Sequence, residues 1–80
     1  MASANFEVVI TSAQRVHYRG QAQSLIVPGE QGTFEVLSFH RPLASRLRAG
    51  TVVIDGKTLP IRRGMLRVAD DRVLVVVEAA

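Results

Sequence analysis

The sequence predicts an all-β domain: a small two-layer antiparallel β-sandwich of about eight to ten short strands, built as one domain over residues 1–80. Three observations carry this. Apolar residues alternate with polar ones at a period of two along most of the chain, as a half-buried strand requires. Turn-forming pairs, Pro28-Gly29, Asp55-Gly56 and Asp70-Asp71, punctuate the alternation at short intervals. No segment holds a helical period long enough to count, so helix-containing architectures lose their main support.

Phe6 to Thr11 is the first strand, with Phe6, Val8 and Ile10 on one face and Glu7, Val9 and Thr11 on the other. Ser12-Ala13-Gln14 turns the chain. Arg15 to Arg19 alternates again, Val16 and Tyr18 against Arg15, His17 and Arg19, and Gly20 is expected to break it. Ala22 to Val27 resumes, with Leu25 and Val27 opposite Ile26, and Pro28-Gly29 turns it. Gly32 to Leu37 sets Phe34 and Val36 against Thr33 and Glu35.

Leu43 to Arg48 is the one helical candidate. Pro42 suits a first helical position, Leu43 and Leu47 lie four apart, and Gly50 would stop the run. At that length at most one turn near residues 43–48, or a 3₁₀ piece, is expected.

Asp55-Gly56 between Thr51–Ile54 and Lys57–Ile61 is a hairpin signal, because a type I′ turn needs positive φ at both central residues. Pro60 cannot donate a ladder bond and should lie at an edge or point outward. Gly64 marks a kink or a close backbone approach. Met65–Val68 and Val73–Glu78 form a second hairpin around Asp70-Asp71. In the last strand Val73, Val75 and Val77 share one face while Leu74 and Val76 occupy the other. A strand apolar on both faces is either central and covered on both sides or has one side waiting for a partner. In a fold where one sheet face normally meets water, the excess apolar surface hints at a binding protein.

Bulk properties narrow the function classes. The chain has no cysteine, so its small core is aliphatic and it reads as a protein of a reducing or redox-neutral compartment. MASANFEVVI has no basic n-region and its apolar run is broken by Glu7 and Thr11, unlike a signal peptide. Val73–Val77 is far shorter than the roughly 20 residues of a membrane-spanning helix, so a soluble domain is expected. The net charge is +3, and nine of the ten cations are arginine. That balance suits an acidic protein, an anionic surface or nucleic acid, and equally an ordinary basic domain.

No constellation of catalytic groups is visible. His17 and His40 are the only histidines and have no partners at metal-ligand spacing. His17 reads as a solvent-side strand residue, and His40 as a loop residue whose ring nitrogen bonds nearby backbone. The serines lack a nucleophile-elbow context, and adjacent Asp70 and Asp71 serve turn geometry. Gly29 and Gly32 do not match a phosphate-cradling loop. A small β-barrel nucleic-acid binder using the arginine-rich surface is the alternative reading. It wants exposed aromatic platforms, whereas most of Phe6, Tyr18, Phe34 and Phe39 fall at core-like positions.

The order of features supplies a resemblance. Val27-Pro28-Gly29 is followed by Gly32-Thr33-Phe34-Glu35-Val36-Leu37, then His40-Arg41-Pro42-Leu43, a short basic segment, and Gly50 opening Thr51-Val52-Val53-Ile54. Gly64-Met65-Leu66-Arg67-Val68 then precedes Asp71-Arg72-Val73-Leu74-Val75. Over about residues 5–78 this resembles the N-terminal β-sandwich domain of the epsilon subunit of bacterial F-type ATP synthase, called delta in mitochondria. Departures are Ser12 where the family often has proline, Arg63 before Gly64 where it has paired glycines, and Glu35 where it has glycine.

The resemblance implies a non-catalytic rotor part of the central stalk that couples rotation of the proteolipid ring to the catalytic head. Its partners would be the gamma subunit and the ring, with no cofactor, metal, nucleic acid, small-molecule substrate or membrane insertion. The expected location is peripheral, on the cytoplasmic face of the bacterial inner membrane. The turn Gly29, Glu30, Gln31, Gly32 and Thr33, and the loop His40, Arg41, Pro42 and Leu43, match the region that meets ring and gamma, and Val76 is expected on the face that meets gamma. Pro42 would stiffen the loop and Leu43 would be either an apolar anchor or core. The family's C-terminal helical hairpin would begin after about Glu78, so a short form is expected, naturally short or shortened after Ala80, with neither inhibition of rotation nor ATP binding.

Overall fold

The computed structural model describes residues 5–80. Eight strands follow one another: β1 (Phe6–Thr11), β2 (Val16–Ala22), β3 (Leu25–Gly29), β4 (Gly32–Val36), β5 (Leu43–Leu47), β6 (Gly50–Ile54), β7 (Lys57–Ala69) and β8 (Arg72–Ala79). They pair in the order β2-β1-β8-β7-β5-β3-β4, with β6 bonded to β3 and β7. The first half of β7 pairs with β6 and its second half with β5 and β8, so this 13-residue strand passes from one layer to the other. Gly29 opposite Leu47 links the layers a second time.

The core is the set of alternating residues read from the sequence. Phe6, Val8 and Ile10 of β1, Leu25 and Val27 of β3, Val52 and Ile54 of β6, and Val73, Val75 and Val77 of β8 are all buried. They join Val36, Leu47, Ile61, Leu66 and Val68 in one aliphatic cluster. Among the described residues no polar side chain belongs to the buried set, so burial of hydrocarbon is the main cohesive term.

Asp55 (φ 45°) and Gly56 (φ 83°) form the left-handed pair of a tight hairpin, and Asp70 (φ 53°) and Asp71 (φ 57°) form the other. Asp55 does more than turn. Its carboxylate accepts the N–H of Gln23 at 3.1 Å and of Ser24 at 3.0 Å, and its own N–H donates to Ser24 O at 3.1 Å. The β2–β3 connection is therefore fastened to the β6–β7 turn. Asp55→Ala is expected to cost about 1–3 kcal/mol by leaving those amides without their charged acceptor, read as a lower denaturation midpoint.

Several local expectations are corrected. Leu43–Leu47 is a strand, not a helical turn: Ser45 sits opposite Leu66 and Leu43 opposite Val68, and ladder bonds to β7 outweigh a helix too short to hold itself. Of the two readings at Gly64 the close backbone approach holds and the kink does not: β7 runs through it unbroken, and a Cβ there would lie 2.6 Å from Val76 O. Gly20 does not interrupt β2, which runs through it opposite Val8 and ends instead at Gln23–Ser24, where the Asp55 carboxylate takes the amides. One pair is not antiparallel, since β1 lies parallel to β8 with Val8 opposite Val73. A bulge in β2 sets Ile10 opposite Tyr18 but Thr11 opposite Val16, which turns Val16 to the exposed face rather than alongside Tyr18.

Candidate functional site

The sequence-derived candidates fall into three places. Gly29, Glu30, Gln31 and Gly32 close the β3–β4 hairpin, with Glu30-Gln31 at its tip, two residues later than the Pro28-Gly29 signal. Pro28 stays in the ladder opposite Thr33, and its carbonyl accepts Arg48 N–H at 2.9 Å. Glu30 N–H donates to Arg46 O at 3.0 Å, which fixes the turn against β5. Between them lies an open groove of about 390 Å³ bounded by the turn and by Leu43 to Arg46. Leu43 is half-buried and packs on the core, so it is joined to the turn and to the interior at once.

His40, Arg41 and Pro42 lie elsewhere, on a loop beside the Asp70-Asp71 turn. The loop is shaped by Phe39, which takes a left-handed φ of 63°. Its N–H donates to Asp71 Oδ1 at 2.7 Å, and His40 N–H donates to Leu37 O at 3.3 Å. His40 Nδ1 lies 2.8 Å from Arg41 O, the backbone bond expected of it. Phe39 is 81% exposed and no sequence signal singled it out, because its position in the alternation resembles that of a core aromatic. Asp71→Ala is expected to loosen this loop, costing about 1–2 kcal/mol and raising amide exchange at Phe39 and His40 before the core strands respond.

Val76 belongs to a third place, the outer face of the β1–β8–β7 sheet. The pairing Thr11–Val76–Met65 forms one row across that face and Val9–Leu74–Arg67 the next. Met65 is 54% exposed, Val76 46% and Leu74 45%, so the face is apolar at its centre and open to water. The β8 alternation located Val76 and Leu74. Met65 and Arg67 were missed because their face depends on the register of β7 past the bulge at Arg62. There Ile61 sits opposite Ala79 and Arg63 opposite Glu78. That bulge brings both Arg62 (3.8 Å) and Arg63 (3.2 Å) to the Glu78 carboxylate.

His17 Nε2 meets Ser12 Oγ at 3.0 Å inside the β2 bulge. Among the described residues no three His, Asp or Glu side chains gather as metal ligands. The described surface thus offers a hydrocarbon-centred sheet face and two loops whose backbones are held by hydrogen bonds.

The β-sandwich domain of the ATP synthase delta/epsilon chain matches residues 5–80, and the chain belongs to that family. It is 35% identical over 82 residues to the ATP synthase epsilon chain of Bordetella petrii, covering 96% of this chain and 58% of that one. It is 29% identical to the epsilon chain of Leptospira interrogans, covering 98% and 65%. The chain thus spans about three-fifths to two-thirds of the length of these curated relatives. In solved structures its fold matches a chain of the Euglena gracilis mitochondrial ATP synthase with a TM-score of 0.85 at 20% identity, covering 96% of this chain and 53% of that one. It also matches a chain of the Tetrahymena thermophila mitochondrial ATP synthase central stalk and c-ring with a TM-score of 0.80 at 11% identity, covering 98% and 66%.

Proposed function

We propose that this domain is a non-catalytic central-stalk component of an F-type ATP synthase, coupling the proteolipid ring to the catalytic head as a rigid link. The observation that carries the reading is the outer face around Val76, Leu74 and Met65, half-exposed hydrocarbon on a sheet whose other side is fully packed. Such a face gains free energy when a partner covers it. The gamma subunit docks there. The Gly29–Thr33 turn and the His40–Leu43 loop project from the same body toward gamma and the ring, with Leu43 tying the first of them to the core. The domain works at the cytoplasmic face of the bacterial inner membrane, held there by its partners.

The test is co-purification with the gamma subunit. Wild-type chain is expected to be retained and Val76→Lys to be lost, with an unchanged circular dichroism spectrum. Retention of Val76→Lys at wild-type affinity would remove gamma from this face. The nucleic-acid reading is checked by a gel shift across salt: tight binding with a steep salt slope would displace the stalk assignment. It is the weaker reading because Phe39 is the one strongly exposed aromatic among the described residues, and single-strand binders stack several bases.

A further inference from the structure

The apolar centre of the docking face has a charged frame. Strand pairing aligns Arg19–Val9–Leu74–Arg67 across four strands, and in the next row Arg46 sits opposite Met65 on β5. All of these positions lie on the outer face, because their ladder neighbours Val8, Val73, Val75, Leu66 and Val68 are buried. The acids at the two ends of the face are already engaged, Glu7 by Arg72 at 3.8 Å and Glu78 by Arg63 at 3.2 Å. Among the described residues Arg19, Arg46 and Arg67 have no carboxylate within ion-pair distance. Arg19 and Arg67 stand three strand spacings apart, roughly 14 Å. A helix with its side chains is about 10–12 Å across.

We infer that the partner element seated on this face is an amphipathic helix lying along β1 and β8, its apolar stripe on Val9, Leu74 and Val76 and carboxylates along both flanks, paired with Arg19 on one side and with Arg67 and Arg46 on the other. The inference rests on the docking reading above and specifies the chemistry that reading leaves open. A strand would be too narrow to reach both arginine rows. A neutral helix would bury the arginine stems and leave the guanidinium groups unpaired at the edge of a drying interface, which is costly. Planar guanidinium groups suit carboxylates bidentately.

The experiment measures affinity for the purified gamma subunit across ionic strength, using wild type, Arg19→Glu/Arg67→Glu, Arg19→Lys/Arg67→Lys, Val76→Lys and the off-face control Arg15→Glu. The double glutamate variant is expected to bind at least tenfold more weakly at low salt and with a shallower salt dependence. The lysine pair should fall between wild type and the glutamate pair, keeping the charge but losing the bidentate geometry, and Arg15→Glu should stay close to wild type. Equal weakening by Arg15→Glu would reduce the effect to net charge and overturn the inference. If the glutamate pair binds like wild type while Val76→Lys does not bind, the acidic flanks are wrong and the docking face stands. If Val76→Lys also binds normally, the docking reading itself falls. Binding of the wild-type chain to phosphatidylserine vesicles, lost in the glutamate pair while gamma binding persists, would assign the arginines to a lipid headgroup instead.

Discussion

Val75→Lys is expected to unfold the domain, whereas Val76→Lys leaves it folded. The two residues are neighbours of the same type on the same strand, and only the pleat separates them. Val75 has no exposed surface and pairs with Ile10 and Leu66 inside the core, while Val76 keeps nearly half of its surface in water. Lysine at 75 forfeits about 1.5–3 kcal/mol of apolar burial. It also places an ammonium group in hydrocarbon at several kcal/mol, with no buried polar side chain to pair it. A domain of this length holds roughly 4–12 kcal/mol in total, so the sum removes most or all of its stability. Urea titration followed by circular dichroism reads both variants. A cooperative transition near the wild-type midpoint for Val75→Lys would show the strand register to be off by one.

Gly64→Ala should produce the next largest loss, although it adds one methyl group. A Cβ built on Gly64 would lie 2.6 Å from Val76 O and 3.2 Å from Val77 Cγ1. The nearer contact is backbone, so no side chain can swing aside. The β7–β8 ladder would have to part at Gly64–Val77, which is also where β7 pairs with Leu47 of β5. Overpacking of this kind costs about 2–3 kcal/mol, or roughly 10–20 °C in melting temperature for a domain of this size. The adjacent Arg63→Ala removes only an exposed ion pair and should shift stability by less than about 1 kcal/mol. Equal melting of wild type and Gly64→Ala would mean that the two strands separate freely at this point.

These two sites also show where the sequence is readable and where it is not. Val75 and Val76 were assigned to opposite faces from alternation alone, and the Asp55-Gly56 and Asp70-Asp71 hairpins from turn chemistry, because both signals are local. The Leu43–Leu47 segment misled because its leucines are four apart, a spacing a helix uses. A strand with Leu43 half-buried and Leu47 buried accommodates it as well, once β7 supplies the hydrogen bonds. Partners more than about twenty residues away leave no mark in a local pattern. The Asp55 clasp on Gln23 and Ser24 and the Asp71 hold on Phe39 are of that kind. The same holds for the two candidate loops. Their residues were named from sequence order, but only the folded register parts the Gly29–Gly32 turn from the His40 loop and sets arginines from β2, β5 and β7 around Val76.

The parallel pairing of β1 with β8 has a consequence for how the chain comes into being. β8, the eighth of the described strands, lies between β1 and β7, in the middle of its layer rather than at a border. Until Arg72–Ala79 clears the ribosome, the amino-terminal hairpin and the long β7 strand each present a bare hydrogen-bonding flank with valines beside it. Folding of this layer therefore waits until β8 has been made, and a nascent chain halted before it would be a sticky half-layer open to neighbouring polypeptides.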